Sequence, residues 1–413
     1  MAKIDLSGLK AGLGSLKSYS AMVWPVVIVL GGAVVMTAAL LMGKSFRAKV
    51  NRESIPLGTQ VKTLVESATP EARIAIEKQY EDAYERDANL IEKLTIESTQ
   101  RELLSYDIFP QPKDTSAMIF TGFSRKYRQS IEQLAAKANG RDCPSEEELK
   151  GISQQGTSGA GSWSPTAAMA GGDRGKIMEE LYQARAKSAS VYINCGDIAG
   201  YIFWENYQYK NLETGVSDCW YWQLGYWIIE DVFSTAGAMN ADSTSVWTSP
   251  VKRIESVGFV LPEKLFGSGA KTVDQTKPKY IIKPEDQLTE ACTGRFSNED
   301  VNVIQFSVVV AADTKAILPF MGKLCSVKEH RWRGISGQEP EQVLKHNQIT
   351  ILESRVKPIS MDDPIHQKYR YGPDPVAEVE LICEYIFNKK GYEAINPEMQ
   401  KKEVPANPEQ AQQ

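Results

Sequence analysis

An α+β fold hung from one transmembrane helix is the architecture this sequence predicts, and three observations predict it. An uncharged run of about 22 residues, Ala21–Met42, lies near the N-terminus. A polar, heptad-spaced stretch follows it. The last third alternates apolar and polar residues in strand-length runs around one helical segment. Composition sets the outer limits. The 413 residues suggest two or three units, since domains run to about 150 residues. With 42% hydrophobic and 24% charged residues, neither a multi-span membrane protein nor a wholly disordered chain fits. A net charge of −5 offers no basic surplus for phosphate, so no nucleic-acid partner is expected.

The Ala21–Met42 run would span about 33 Å as a helix, enough for a hydrocarbon core of roughly 30 Å. Tyr19 and Trp24 stand at its leading edge, where amphipathic rings prefer the headgroup zone. Pro25 is expected in the first turn, where a missing N–H costs nothing. The run is longer than a signal-peptide core and ends in Leu40-Leu41-Met42 rather than a small-x-small site. Lys3, Lys10 and Lys17 precede it; Lys44, Arg47, Lys49 and Arg52 follow it, so local charge alone leans against a cytoplasmic N-terminus. Long domains translocate largely regardless of charge. The expectation is therefore a cytoplasmic N-terminus, a single pass of the cell inner membrane and a periplasmic bulk. Ahead of the span, Leu6, Leu9, Leu13 and Leu16 with the three lysines form an amphipathic pattern interrupted by glycines, which suits a membrane surface or a frayed tail.

Thr69-Pro70-Glu71 is a helix-start signal. From there Ile76, Tyr80, Ala83, Asp87, Leu90 and Leu94 step by alternating fours and threes, a coiled-coil seam weakened by Asp87. Ile76, Tyr80, Ala83, Leu90 and Leu94 are the candidate pairing residues. Pro110 and Pro112 end the stretch. A helix is predicted over Ile119–Lys137, closed by Asn139-Gly140, then a capping box at Ser145 and Glu148 and a glycine-rich loop at 151–175. That loop follows no strand and lacks a Lys-Ser/Thr, which excludes a phosphate loop.

Arg174–Ser190 reads as a helix and Val191–Ile193 as a strand. The middle then concentrates Trp204, Tyr207, Tyr209, Trp220, Tyr221, Trp222, Tyr226 and Trp227. Asp218 is a candidate cap for a helix reaching about Asn240. Its aromatics read as core, as a partner groove with Trp220 and Trp227 as anchors, or as a tryptophan-lined ligand site. Val251–Val260 reads as a strand, and the stretch to Glu290 as loop.

The C-terminal unit reads β-α-β-β. Val301–Val310 alternates with Ile304, Phe306 and Val308 inward. A helix follows Asp313 with Ile317, Phe320, Met321 and Leu324 on one face, starting late or kinking because of Pro319. Ile349–Lys357 is the second strand. Val376–Phe387 is the third, with Glu378, Glu380 and Glu384 outward. That order is a ferredoxin-like half. Together these readings divide the chain into a cytoplasmic amphipathic tail (1–20), a transmembrane helix (21–43), a helical coiled-coil stalk (44–110) and helices with the glycine-rich loop (111–190). An aromatic-rich partial α/β unit (191–295), the ferredoxin-like unit (296–390) and a disordered tail (391–413) complete it.

One anchor, a stalk and a terminal strand VAEVELICEYIF after YRYGPDP resemble the PilO-type alignment proteins of type IV pilus machines and the M-type protein of type II secretion. The chain is about twice their usual length. The resemblance implies a non-enzymatic scaffold, a homodimer or a heterodimer with a sister bitopic protein, docked on a pilus or secretion inner-membrane platform. A membrane-tethered ligand-binding or sensory protein using the aromatic middle is the alternative.

No catalytic, cofactor or metal site is read from the sequence. His330, His346 and His366 fall in charged stretches between strands, form no metal spacing and read as solvated loop histidines. No GxSxG elbow is present. The six cysteines form no CxxC, which argues against a zinc or redox motif. In an oxidising compartment they permit disulfides, and Cys195 with Cys219, flanking the aromatic loop, is the candidate pair.

Overall fold

The computed structural model describes residues 20–67, 71–145, 148, 173–262, 276–364 and 366–400. The expected tail through residue 19, the Thr69-Pro70 start signal, the glycine-rich stretch 151–172 and residues 401–413 lie outside the described residues, whereas 391–400, expected as disordered tail, are mostly helical with Tyr392 and Ile395 buried. The chain divides into two units, Met1–Asp87 and Ala88–Gln413.

In the first unit, α1 (Ser20–Lys49) passes through a π-helical turn (Val50–Ser54) into α2 (Ile55–Glu66). It is one helix long and apolar enough to cross a membrane, near the N-terminus and with none of its apolar window buried in the protein. Pro25 lies inside α1 and not at its first turn, because the helix already includes Ser20. It thus removes one main-chain hydrogen bond from the helix. Helix α3 (Glu71–Glu97) follows, and its last residues, from Ala88, belong to the larger unit.

The larger unit is built on one six-stranded mixed sheet of order β1-β2-β3-β4-β8-β7. Its strands are β1 (Gly140–Arg141), β2 (Val191–Ile193), β3 (Val251–Gly258), β4 (Val301–Asp313), β7 (Ile349–Pro358) and β8 (Val376–Asn388). Strands β5 (Lys328–Trp332) and β6 (Gln342–His346) form a separate antiparallel pair. The first three strands run parallel, with α5 (Asp173–Ser188) crossing from β1 to β2. Helices α6 (Tyr201–Glu205) and α7 (Leu212–Met239) cross from β2 to β3. β4 pairs antiparallel with β3 and β8, and β8 lies between β4 and β7. The aromatic middle and the C-terminal strands thus share one sheet, continuous across the 295/296 division drawn from the sequence.

Helix α4 (Ala117–Lys137) buries Phe120, Phe123, Tyr127, Ile131 and Leu134 and ends at Asn139, whose φ of 48° turns the chain into β1. Helix α7 starts six residues before the expected cap. Asn211 accepts the Thr214 N–H at 2.8 Å, and Asp218 sits within the helix, 2.8 Å from Lys277. After β4, Asp313 accepts the Lys315 N–H, a 3-10 turn (Thr314–Ala316) follows, and α8 (Ile317–Leu324) begins there. This is the late start that Pro319 demands.

Helices α4, α6, α7 and α8 cover one face of the sheet with a single apolar core. The other face, expected to be left with an edge for a partner, is largely covered by the chain itself. Gln305, Ser307, Glu380 and Glu384 are all buried. The 276–300 segment covers part of it: the Leu288 N–H donates to Gln305, and Thr293 and Arg295 donate to Glu384. The 359–375 connection and α5 cover a second part, around Tyr192, Ala311, Tyr369 and Tyr371, while Glu353 and Arg355 of β7 stay exposed. Period-two alternation identifies two faces of a strand, but polar residues on the second face can be satisfied by a covering loop as well as by water.

Candidate functional site: a buried clamp at the end of α3

Within the larger unit the chain leaves α3 and enters the core directly. Gln348 donates to Ser98 Oγ at 2.9 Å, Thr99 Oγ1 to the Asn388 carbonyl, and Lys390 to Glu92 at 2.7 Å. Then Arg101 runs inward, with its side chain 2% exposed. Its Nη1 donates to Asp231 Oδ2 at 2.9 Å and to the Tyr385 hydroxyl at 2.8 Å. Its Nη2 donates to Asp231 Oδ1 at 3.1 Å and to Glu230 at 2.6 Å. Tyr385 donates to Asp231 at 2.8 Å, and His346 Nε2 lies 3.2 Å from the same carboxylate. One arginine thereby joins the segment after α3 to α7 and β8. The main chain adds to the joint: Trp227 Nε1 donates to the Glu102 carbonyl, and the Leu104 N–H to Gln223.

The charge states are pinned by their surroundings. Burial alone would raise the Asp231 carboxyl, but Arg101 and His346 outweigh it and hold the group well below the ordinary carboxylate range. Burial alone would lower the Arg101 guanidinium, yet Asp231, Tyr385 and Glu230 keep it well above its usual value. Burial and Asp231 push the Tyr385 phenol up. Burial drives the His330 imidazole down to about 3, helped by Arg101 and His346, and lowers His346 despite Asp231. At neutral pH the cluster is Arg⁺, Asp⁻, phenol and two neutral imidazoles. The proximity of His346 Nε2 to the carboxylate requires the proton on Nε2. Cavities of 630, 420 and 190 Å³ in this unit are lined by other residues. The cluster therefore acts as a clamp, because both Asp231 oxygens are already engaged.

The predicted interface residues fall in two groups. Ile76, Tyr80, Leu90 and Leu94 are each more than half exposed, Ala83 partly so, along one helix that also exposes Ile74, Tyr84 and Ile91. Trp220 and Trp227 are fully buried and cannot be interface anchors. Trp220 packs 5.5 Å from Phe109 and 5.4 Å from Tyr392 and donates to the Tyr280 hydroxyl. Trp204 and Trp222 are buried too, which leaves this aromatic cluster as core and not as a ligand surface. The three histidines, expected in solvent, are all buried; His330 lies on β5 and His346 on β6. The β5–β6 pair was unforeseen, and it is what carries His330 and His346 inward.

Cys195 and Cys219 form no bridge, and all six cysteines are free. Cys219 is packed inside the α7 core, whereas Cys195 lines the 420 Å³ cavity beside Glu132 and Asp142. Six thiols per chain are expected to react when the protein is denatured without reductant. A Cys195–Cys219 peptide in a non-reducing digest would contradict this.

Asp231 and Arg101 were missed, although one signal was legible. Asp231 interrupts the apolar run Trp227-Ile228-Ile229 and Val232-Phe233, one turn from Trp227, where a charge demands a partner. No protein-family model, curated protein or solved structure matches the chain.

Proposed function

We propose that the chain is a non-enzymatic, single-pass scaffold of the cell inner membrane, with its bulk periplasmic, serving a type IV pilus or type II secretion-like machine. The observation that carries this reading is the apolar stripe of α3. Ile76, Tyr80, Leu90 and Leu94 stay exposed in a single chain that also has a membrane-length helix. Apolar side chains at heptad spacing are buried by pairing with a second helix, here that of a second copy or a sister bitopic protein. The Arg101 clamp supports the same reading, since it ties the end of α3 into α7 and β8, as a tether under tension requires. The β4-α8-β7-β8 connectivity, with β8 between β4 and β7, supports a ferredoxin-like half as the platform for partner contacts.

The Leu90→Lys/Leu94→Lys double variant is expected to weaken self-association of the detergent-solubilised chain at least about tenfold in sedimentation, from loss of two seam contacts. Association unchanged from the parent rules out pairing through α3. Recovery of a pilus or secretion platform with the full-length chain from gently solubilised membranes tests the machine itself.

A further inference from the structure

The sheet face opposite the aromatic core carries a second charged cluster that the scaffold reading does not use. Strand register lines up Tyr192, Arg253, Ala311, Glu378 and Lys357 across five strands. Ala311, in the centre, contributes only a methyl group. A register shift between Ile254 and Ser256 marks a bulge at Glu255, a device that re-aims a side chain. Over this row passes the 359–375 connection, which carries His366. One donor atom each from Glu255, His366 and Glu378 lies within 4.8 Å of the others.

We propose that Glu255, His366 and Glu378 form a divalent-cation site of zinc-type preference. Glu255 is 2% exposed, and its Oε1 has no hydrogen-bond partner. A buried carboxylate oxygen left unpaired is costly, and a cation among the three donors removes that cost. Arg253 ion-pairs the other carboxylate oxygen, Oε2, at 3.4 Å, and Lys357 lies 3.8 Å from Glu378, so Oε1 itself stays without a partner. Arg253 is also stacked 3.9 Å over the Tyr369 ring, and Lys357 also hydrogen-bonds Glu380, which holds both cations away from Oε1. His366 is 4% exposed, and its Nδ1 lies 3.0 Å from the Tyr371 hydroxyl, which leaves Nε2 facing Glu378 Oε2 at 3.7 Å. An outer partner on the second ring nitrogen is the usual support of a metal-ligating histidine. One imidazole and two carboxylates suit zinc better than magnesium, which prefers all-oxygen donors. Zinc at about 2.0–2.2 Å from three donors sets them roughly 3.4 Å apart, so closure by at most about 1.4 Å completes the site.

The test uses the full-length chain in detergent, stripped with chelator and titrated with Zn²⁺, Mg²⁺ and Co²⁺. One Zn²⁺ per chain is expected, with no comparable Mg²⁺ binding. The Co²⁺ spectrum is expected to show d–d bands without a thiolate charge-transfer band, which separates this site from the free cysteines. Glu255→Gln and His366→Ala are each expected to weaken Zn²⁺ binding at least about tenfold, and Tyr371→Phe by a similar factor. No binding, a thiolate band, or Zn²⁺ affinity unchanged in folded Glu255→Gln overturns the proposal. Should the variants misfold, the spectrum of the parent chain decides alone.

Discussion

Replacing Arg101 with alanine is expected to destabilise the larger unit by about 3–5 kcal/mol, the loss typical of removing one partner from a buried ion pair. The effect comes less from the bonds lost than from what remains. Asp231 would be left 3% exposed with only Tyr385 and a neutral His346 to face it. Urea unfolding of the full-length chain in detergent, followed by fluorescence of the buried tryptophans, reads this directly. With an m-value of roughly 2–3 kcal/mol per molar urea, the midpoint should fall by about 1–2 M. The Arg101→Met/Asp231→Leu double variant should recover much of the loss, since an apolar pair of similar volume often equals a buried ion pair. That recovery separates a clamp whose charges matter as a pair from a side chain that matters only as packing. A single-variant midpoint within about 0.3 M of the parent is incompatible with the clamp.

The clamp bears on function because of where it sits. Arg101 follows the last turn of α3 by only a few residues, and its partners lie on α7 and β8. Glu102 and Trp227, Leu104 and Gln223, Ser98 and Gln348 bond within the same stretch. Pull on α3 would therefore be resisted by the sheet and its central helix together. A substitution at Arg101 is expected to destabilise the larger unit, whereas lysines at the exposed Leu90 and Leu94 are expected to leave its fold intact.

The strands were legible because their signal is local. Val301, Ile349 and Val376 each open a β strand where alternation begins, and the helix after β4 starts late because of Pro319. Gly140–Arg141 and the β5–β6 pair were not legible. Two residues give no periodicity, and Lys328–Trp332 with Gln342–His346 are mostly polar, so only pairing between them defines the strands. The clamp was hidden for a related reason. Its members are separated by as much as 284 residues, from Arg101 to Tyr385, and a lone charge reveals its partner only after folding. The histidines were misread because charged neighbours such as Glu329, Arg331 and Lys345 suggest solvent. On an alternating strand, however, the neighbours of an outward residue point inward.

Acid should loosen the larger unit well before carboxylates titrate, and His330 supplies the largest single share. Its imidazole drops from about 6.5 in the unfolded chain to about 3 in the fold, because burial and then Arg101 and His346 disfavour the cation. The unfolded state thus binds the extra proton across that window, and stability falls as pH falls. The contribution is fully present above about pH 6.5. At pH 5 roughly 1.5 units of the gap have opened, or about 2 kcal/mol, and near pH 3 the loss reaches about 4–5 kcal/mol. His346 adds a change of the same sign, since burial lowers it too. The interval from pH 7 to pH 5 isolates the effect, because ordinary Asp and Glu stay ionised there and the chain has only three histidines. A urea midpoint that does not move between pH 7 and 5 excludes a buried neutral His330. His330→Phe keeps the ring in its place and removes the proton acceptor, so it should flatten that slope by about 2 kcal/mol at pH 5 while leaving the share of His346. Its stability at pH 7 tests a separate quantity: the Gln100 carbonyl, 3.2 Å from His330 Nε2, loses its partner in that variant and should cost about 1 kcal/mol. Flattening of the slope together with that small loss at pH 7 assigns the acid sensitivity to the imidazole and not to general packing around β5.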